Sequence, residues 1–193
     1  MLFRSKRHYA AEICEMVHQA LRWWRFPTRE DNLEDVLQSY AWEHGIVDAE
    51  ARQKAVGRAR VLLNWFRRSP LYAEIAAAQV VYRELPFLFR VGERTIRGVI
   101  DVLLQHPDGS WALVDYKTSY VPRADDPQVI VDHARRFHLQ VGVYAAAIRE
   151  QLGGVVPAVI IHYIRHTQTV HVSTAEWETA LSRLEDQLGD ILG

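Results

Sequence analysis

The N-terminal part of the chain, residues 1–70, carries apolar side chains at the three- and four-residue spacing of amphipathic helices. The spacing predicts three helices, at about 8–25, 32–44 and 48–68. Pro27 ends the first helical pattern, Thr28 can cap the next helix with Asp31 three residues on, and Ser69-Pro70 stops the third. Four tryptophans in these helices are expected to be core residues: Trp23, Trp24, Trp42 and Trp65.

From about residue 79 the apolar positions follow the pattern of β-strands. Strands are predicted at about 80–89, 94–105, 111–117, 155–164 and 169–172, the last at a sheet edge. The turn at 106–109 joins the second strand to the third, so the first three strands should form an antiparallel meander. A loop is expected at 120–128, a helix at 133–152, and a last helix that Ser173 and Glu176 begin.

This order of elements predicts an α/β protein of the α+β type with a mixed sheet, folded as a single domain over 1–193. The domain would have a helical N-terminal part (1–70), a mixed sheet with one helix (79–172) and a C-terminal helix (174–193). No apolar stretch reaches the roughly 18 residues of a membrane span. No signal-peptide core follows the basic start, so we expect a cytoplasmic protein that does not bind a membrane.

Composition narrows the chemistry that the chain can perform. Of its 193 residues 49% are hydrophobic and 24% charged, which is typical of a soluble globular protein. The net charge of −1 shows no overall preference for nucleic acid, although basic residues cluster at 4–7, 67–68 and 135–136. Cys14 is the single cysteine, so a cysteine-held zinc or iron–sulfur cluster is excluded within one chain. A metal held by oxygen and imidazole would be a hard cation such as Mg²⁺ or Mn²⁺.

Two aspartates and a lysine interrupt the apolar strands. Asp101 and Asp115 each follow an apolar run, and Lys117 comes two residues after Asp115. Side chains alternate along a strand, so Asp115 and Lys117 share a face, and the hairpin keeps Asp101 near them. Two carboxylates and an amine at one place suit metal-assisted hydrolysis. From spacing alone, a surface ion pair on a half-exposed strand is an equal alternative.

The motifs around these residues resemble those of RecB-type nucleases in the PD-(D/E)XK superfamily, the C-terminal domains of RecB and AddA helicase–nucleases. Gly98-Val99-Ile100-Asp101 and Val114-Asp115-Tyr116-Lys117-Thr118 are similar to motifs II and III. Gln140 and Tyr144 match the Gln-X-X-X-Tyr motif, and Arg83-Glu84-Leu85-Pro86-Phe87 is similar to the Glu-X-Pro-Phe strand. Val17-His18-Gln19-Ala20-Leu21 resembles the His-X-X-Leu helix, whose histidine ligates metal.

The resemblance implies a restriction-endonuclease-like core with an added N-terminal helical region. It implies a Mg²⁺- or Mn²⁺-dependent deoxyribonuclease, either exonuclease or endonuclease, without an iron–sulfur cluster. Asp101 and Asp115 would hold the metal, and Lys117 would position the attacking water. The Tyr116 carbonyl and His18 would be further ligands. Gln140 and Tyr144 would align the substrate phosphate or support Lys117, and Glu84 is a further candidate.

The resemblance also implies partners: DNA, and a superfamily 1 helicase motor on the same polypeptide or in a complex, acting in double-strand-break repair. This chain has no ATP-binding P-loop. Some alternatives remain open. Glu84 could pair with Arg94 or Arg97, His18 could be a core histidine, and His133 and His138 could be solvated. The whole chain could be an inactive DNA-binding or docking module, or a stand-alone exonuclease or restriction-type nuclease.

Overall fold

The structure is a computed structural model that describes residues 9–27, 32–92 and 94–190, with side chains described as far as residue 184. Its internal contacts divide the chain into two compact units, residues 1–69 and 70–193. The predicted single-domain organisation stays a prediction. The expected caps Thr28 and Asp31, and the basic residues 4–7, lie outside the described residues. Within the described ranges, no helix combines the length and the apolar character needed to cross a bilayer.

The described part of the first unit contains three helices, as the apolar spacing predicts. They are α1 (Ala10–Arg22), α2 (Leu33–Glu43) and α3 (Ala49–Arg67). Asp48 begins α3, because its side chain accepts a 2.8 Å hydrogen bond from the amide of Ala51. The buried side chains recur on one face of each helix, so the three helices form a core of their own.

The expectation that the four tryptophans are core residues is wrong for three of them. Trp23 is 61% exposed, Trp42 58% and Trp65 37%. Trp24 alone packs inward, edge-on against Phe26. Helical spacing does not separate the centre of an apolar face from its margin, and a tryptophan at the margin keeps one side in solvent. Arginines cover the exposed rings of Trp23 and Trp42.

The second unit opens with a short helix that the sequence analysis missed, α4 (Pro70–Ala77). Pro70 stops α3, but proline is also well suited to the first position of a helix, where its missing N–H leaves no bond unmade. Five strands follow in the predicted places: β1 (Val80–Val91), β2 (Arg94–Gln105), β3 (Trp111–Lys117), β4 (Ala158–Tyr163) and β5 (Gln168–Val172).

The five strands form one mixed sheet in the order β1-β2-β3-β4-β5. The first three are antiparallel neighbours, which confirms the predicted meander, and β5 lies at an edge as predicted. β3 and β4 are parallel, so the chain crosses over between them. Because both strands end at the same edge, Lys117 and Tyr163 lie side by side there.

The crossover differs from the single helix expected at 133–152. It consists of α5 (Pro127–Ala134), a 3₁₀ turn (Arg135–Phe137) and α6 (His138–Gln151). Asp126 caps α5 by accepting the amide of Gln128, and Pro127 takes its first position, so the helical region begins inside the expected loop. The apolar spacing could not show the break, because a 3₁₀ turn and an α-helix bring nearly the same residues together.

Helix α6 packs on the sheet against β1 and β3, and α7 (Thr174–Asp190) packs against α6. Ser173 and Glu176 form the predicted capping box at the start of α7, with a 2.9 Å bond from the Ser173 amide to the Glu176 carboxylate. Gly142 lets the helices approach closely, since a Cβ there would lie 2.9 Å from the carbonyl oxygen of the buried Trp177. The sheet edge that carries Lys117 therefore lies beneath a firmly packed helix.

Candidate active site

Asp115 and Lys117 form an ion pair near the end of β3. Lys117 Nζ lies 2.7 Å from Asp115 Oδ2, and the two side chains are only 14% and 3% exposed, the lysine being the more exposed. This pairing confirms the predicted shared face. A buried carboxylate would be costly without a cation beside it, so the lysine accounts for the burial of Asp115. The alternative of a surface ion pair is excluded by the low exposure of both groups.

The Lys117 ammonium has further contacts with the region around α6. It donates a 3.1 Å hydrogen bond to Gln140 Oε1, and Gln140 Nε2 donates a 2.7 Å bond to the Tyr144 hydroxyl. The ammonium also lies 4.0 Å from the centre of the Phe137 ring, over its face. The predicted Gln140–Tyr144 pair therefore contacts the lysine. Phe137 belongs to the same group, although the sequence did not predict it.

Asp101 is joined to β3 through the backbone. Its Oδ2 accepts a 2.6 Å hydrogen bond from the amide of Tyr116, where the β2–β3 ladder ends at the Val102–Val114 pair. The hairpin thus places Asp101 beside Asp115, as predicted. A carboxylate oxygen of Glu84 and one of Asp101 lie within 4.8 Å of each other. The alternative that Glu84 pairs with Arg94 or Arg97 is wrong, because those arginines lie opposite Val91 and Leu88.

Glu84 has an unusual backbone conformation in the middle of a strand. Its φ of 51° lies in the left-handed region, which costs a non-glycine residue about 1–2 kcal/mol. In a regular strand, Tyr82 and Leu85 would lie on opposite faces of the sheet. Leu103 pairs with Tyr82 and therefore shares its face, yet Leu103 and Leu85 belong to the same core. Both strands therefore exchange faces at Glu84 and Asp101, and the exchange holds the two carboxylates together.

The three carboxylates all act on one tyrosine. Burial raises the pKa of the Tyr144 hydroxyl above its usual value, and the hydrogen bond from Gln140 lowers it. The charges of Asp115, Asp101 and Glu84 each raise that pKa as well. Tyr144 therefore stays protonated at neutral pH, and the carboxylates form one negative group around it.

A second group of side chains supports Phe137 from behind. His133 Nδ1 lies 2.9 Å from the Tyr163 hydroxyl, and its ring packs 5.7 Å from the ring of Phe137. Burial, and then the Asp115 charge, raise the pKa of Tyr163 to about 12. The pKa of His133 is lowered by burial and by the charges of Arg136 and Lys117. The alternative that His133 and His138 are merely solvated is wrong, since His133 is half-buried beside Tyr163 and His138 is 9% exposed.

The second unit thus brings six of the predicted residues into one place: Glu84, Asp101, Asp115, Lys117, Gln140 and Tyr144. Tyr116 takes part through its amide, and its carbonyl as a ligand stays a prediction. His18 is half-buried on α1 in the first unit, and its role as a ligand stays a prediction too. The spacing of 137, 140 and 144 could have indicated Phe137, whereas nothing in the apolar strand marked Tyr163.

The donor groups fit a hard divalent cation. Glu84, Asp101 and Asp115 offer carboxylate oxygens, which Mg²⁺ and Mn²⁺ prefer, and the described residues around them offer no thiolate. The three carboxylates all act on Tyr144, so they lie near one another, and a bound cation would offset the repulsion between them. Asp101 and Asp115 are the residues that would hold such an ion, with Glu84 beside them.

Comparison with known proteins agrees with this geometry. The chain belongs to the PD-(D/E)XK nuclease superfamily, whose family model matches residues 5–192. A solved structure of a Eubacterium rectale protein regarded as an exonuclease aligns with a TM-score of 0.58, covering 100% of this chain and 86% of the other at 12% identity. That likeness, together with the family match, confirms the predicted restriction-endonuclease-like α/β fold.

The chain is also similar to bacterial proteins named as subunits of an ATP-dependent helicase/nuclease. The Staphylococcus saprophyticus protein is 30% identical over 161 residues, which are 74% of this chain and 13% of that protein. The Listeria monocytogenes protein is 28% identical over 184 residues, 86% of this chain and 14% of that one. The expected resemblance to AddA-type helicase–nucleases is confirmed. The chain spans only a small fraction of the length of these relatives.

Proposed function

We propose that this chain hydrolyses phosphodiester bonds in DNA with Mg²⁺ or Mn²⁺ as its cofactor. The observation that carries the proposal is the buried Asp115–Lys117 ion pair, 2.7 Å long, with Glu84 and Asp101 beside it. The chain belongs to a nuclease superfamily, and this cluster contains the acidic and basic groups that such hydrolysis requires. A bound divalent cation would polarise the phosphoryl oxygen and acidify a water molecule.

The residues of the chain divide this work. Lys117, held by Asp115, Gln140 and Phe137, presents an ammonium that can position the attacking water and stabilise negative charge on the phosphate. Gln140 holds Lys117 through its oxygen and Tyr144 through its nitrogen, so the amide cannot rotate without losing one bond. The Tyr144 hydroxyl stays protonated, so it can donate a hydrogen bond to a phosphate oxygen. Because the ion pair has little solvent exposure, few water molecules compete for its charged groups.

Substitutions of Asp115 and Lys117 test the site directly. Asp115→Asn and Lys117→Ala should each lower the cleavage of DNA with Mg²⁺ by at least about 100-fold, since each removes an interaction made in the transition state. Matched controls are Asp125→Asn in the exposed loop before α5, and Lys54→Ala on the exposed face of α3. Both controls should cleave at the wild-type rate.

The same assay separates the alternatives. If both site variants cleave like wild type while remaining folded, the proposed site is wrong. DNA binding without any cleavage in Mg²⁺ or Mn²⁺ would identify the chain as an inactive binding module with the nuclease fold. Titration of Mn²⁺ into wild type and Asp101→Ala, followed by calorimetry, tests the ligands: the variant should lose the binding that wild type shows.

We further propose that this chain works with a superfamily 1 helicase motor, in the same polypeptide or in a complex, during double-strand-break repair in the cytoplasm. The support is the name of its relatives, which are helicase/nuclease subunits much longer than this chain. The genomic sequence on either side of the region that encodes this chain tests the proposed link to a motor. A motor with a P-loop there, or one that co-purifies with the chain, is expected; a stand-alone exonuclease or restriction-type enzyme would have neither.

A further inference from the structure

The segment that follows β3 carries a tyrosine that has no role in the site described above. Tyr120 is 67% exposed, three residues after Lys117 and beyond the same edge of the sheet. Three residues of extended chain span at most about 11 Å, so the backbone of Tyr120 lies within that distance of the backbone of Lys117. In a stacked strand of DNA that distance corresponds to about three nucleotides.

Tyr120 is held on a fixed backbone rather than on a free loop. The amide of its neighbour Val121 donates a 3.0 Å hydrogen bond to His166 Nε2, and the side chain of Val121 is buried. The ring of Tyr120 lies 5.8 Å from the His166 ring at an angle of 36°. The Tyr120 ring thus packs near His166, and most of its surface is exposed to solvent.

Further bonds tie the same segment to the β4–β5 hairpin. Arg165 Nε donates to the carbonyl of Thr118 at 3.3 Å, and Gln168 Nε2 donates to the carbonyl of Ala124 at 2.8 Å. The bond to Thr118 also holds the cationic guanidinium of Arg165 within two residues of Tyr120. A rigid exposed ring beside a cation is the combination that binds unpaired nucleotides, since the ring stacks on a base and the cation attracts the phosphates.

We propose that Tyr120 is a stacking platform for an unpaired base of the DNA strand that the site cuts. The inference rests on the proposed nuclease function and adds to it a residue that positions the substrate. Base faces inside a duplex are covered by their neighbours, so the Tyr120 ring can stack only on a base that is free. The base that stacks lies within about three nucleotides of the bond that is cut.

Binding of defined oligonucleotides tests the proposal. The affinity of the full chain for a labelled oligodeoxythymidine and for a duplex of equal length is measured by fluorescence anisotropy in EDTA, so that no bond is cut. Tyr120→Ala should weaken binding of the single strand by about five- to 100-fold and leave binding of the duplex within about two-fold. Tyr120→Phe keeps the ring and should bind the single strand like wild type.

A series of single-strand probes, each with one abasic nucleotide, supplies the matched control. One abasic position should weaken wild-type binding as much as Tyr120→Ala does, and that probe should bind both proteins equally. Equal binding of the intact single strand by wild type and Tyr120→Ala would overturn the proposal, as would equal losses for single strand and duplex. Cleavage of DNA by Lys117→Ala distinguishes failure of this proposal from failure of the proposed function. A wild-type cleavage rate in that variant would refute the nuclease function itself, whatever the Tyr120 variants show.

Discussion

At the scale of single residues, the site is organised around one ammonium group. Lys117 is bound by a carboxylate, an amide oxygen and an aromatic face, which come from β3, α6 and the 3₁₀ turn. Each contact restricts a different direction of movement of a flexible side chain. Phe137 differs from the other two partners, because it offers no hydrogen bond and acts only through its ring.

Replacement of Phe137 separates the effect of its ring from that of its volume. Phe137→Leu removes the aromatic face and should lower kcat by about two- to 30-fold, with KM little changed, because the lysine loses a cation–π contact. Phe137→Tyr keeps the face and should restore the rate. Steady-state kinetics with Mg²⁺ measure both, and unfolding temperatures check that the variants fold. A wild-type kcat in Phe137→Leu would show that Phe137 does not position Lys117.

At the scale of elements, two irregular places determine the site. The β1–β2 pair exchanges faces at Glu84, which brings a third carboxylate to Asp101. The crossover between β3 and β4 breaks at Arg135–Phe137, so that α5 supplies His133 and α6 supplies Gln140. Neither irregularity changes the order of elements, which explains why the predicted strands and helices agree with the structure although these details were missed.

Helix α6 keeps its position through its close contact with α7, and a substitution at Gly142 tests that contact, with Gly57 as the control. Gly142→Ala forces a Cβ against the Trp177 backbone and should destabilise the chain by about 1–3 kcal/mol. Gly57→Ala, in the exposed middle of α3 where a Cβ meets nothing within 4 Å, should stabilise it by about 0.5–1 kcal/mol. Chemical unfolding of both variants measures the opposite signs. A stabilised Gly142→Ala would mean that α6 and α7 are not tightly packed.

At the scale of the whole molecule, histidines whose pKa values are lowered by burial link stability to pH. Burial lowers the pKa of His162 to about 4, from a value of about 6.5 in an unfolded chain. His133, His138 and His166 have pKa values lowered mainly by burial as well. Between about pH 6.5 and 4 the unfolded chain therefore binds more protons than the folded one, and stability rises with pH.

The free energy of unfolding should accordingly have its full value above about pH 6.5 and decrease as the pH drops towards 4. His162 alone accounts for about 3 kcal/mol of this loss, from the size of its pKa shift. Urea unfolding at pH 7, 6 and 5 measures the slope, and His162→Leu should flatten it. A free energy of unfolding that stays constant or increases on acidification would contradict this linkage.

The sequence alone determined the order and type of nearly all elements, because apolar period and turn residues are local properties of the chain. It also identified Asp101, Asp115 and Lys117, since charged residues that interrupt an apolar strand are costly unless they meet partners. Tertiary structure decided what local pattern cannot express: the exchange of strand faces at Glu84, the ring of Phe137 over the ammonium, and the fixed, exposed Tyr120. Each depends on contacts between residues far apart in the chain. The local sequence pattern around either partner does not show whether such a contact forms.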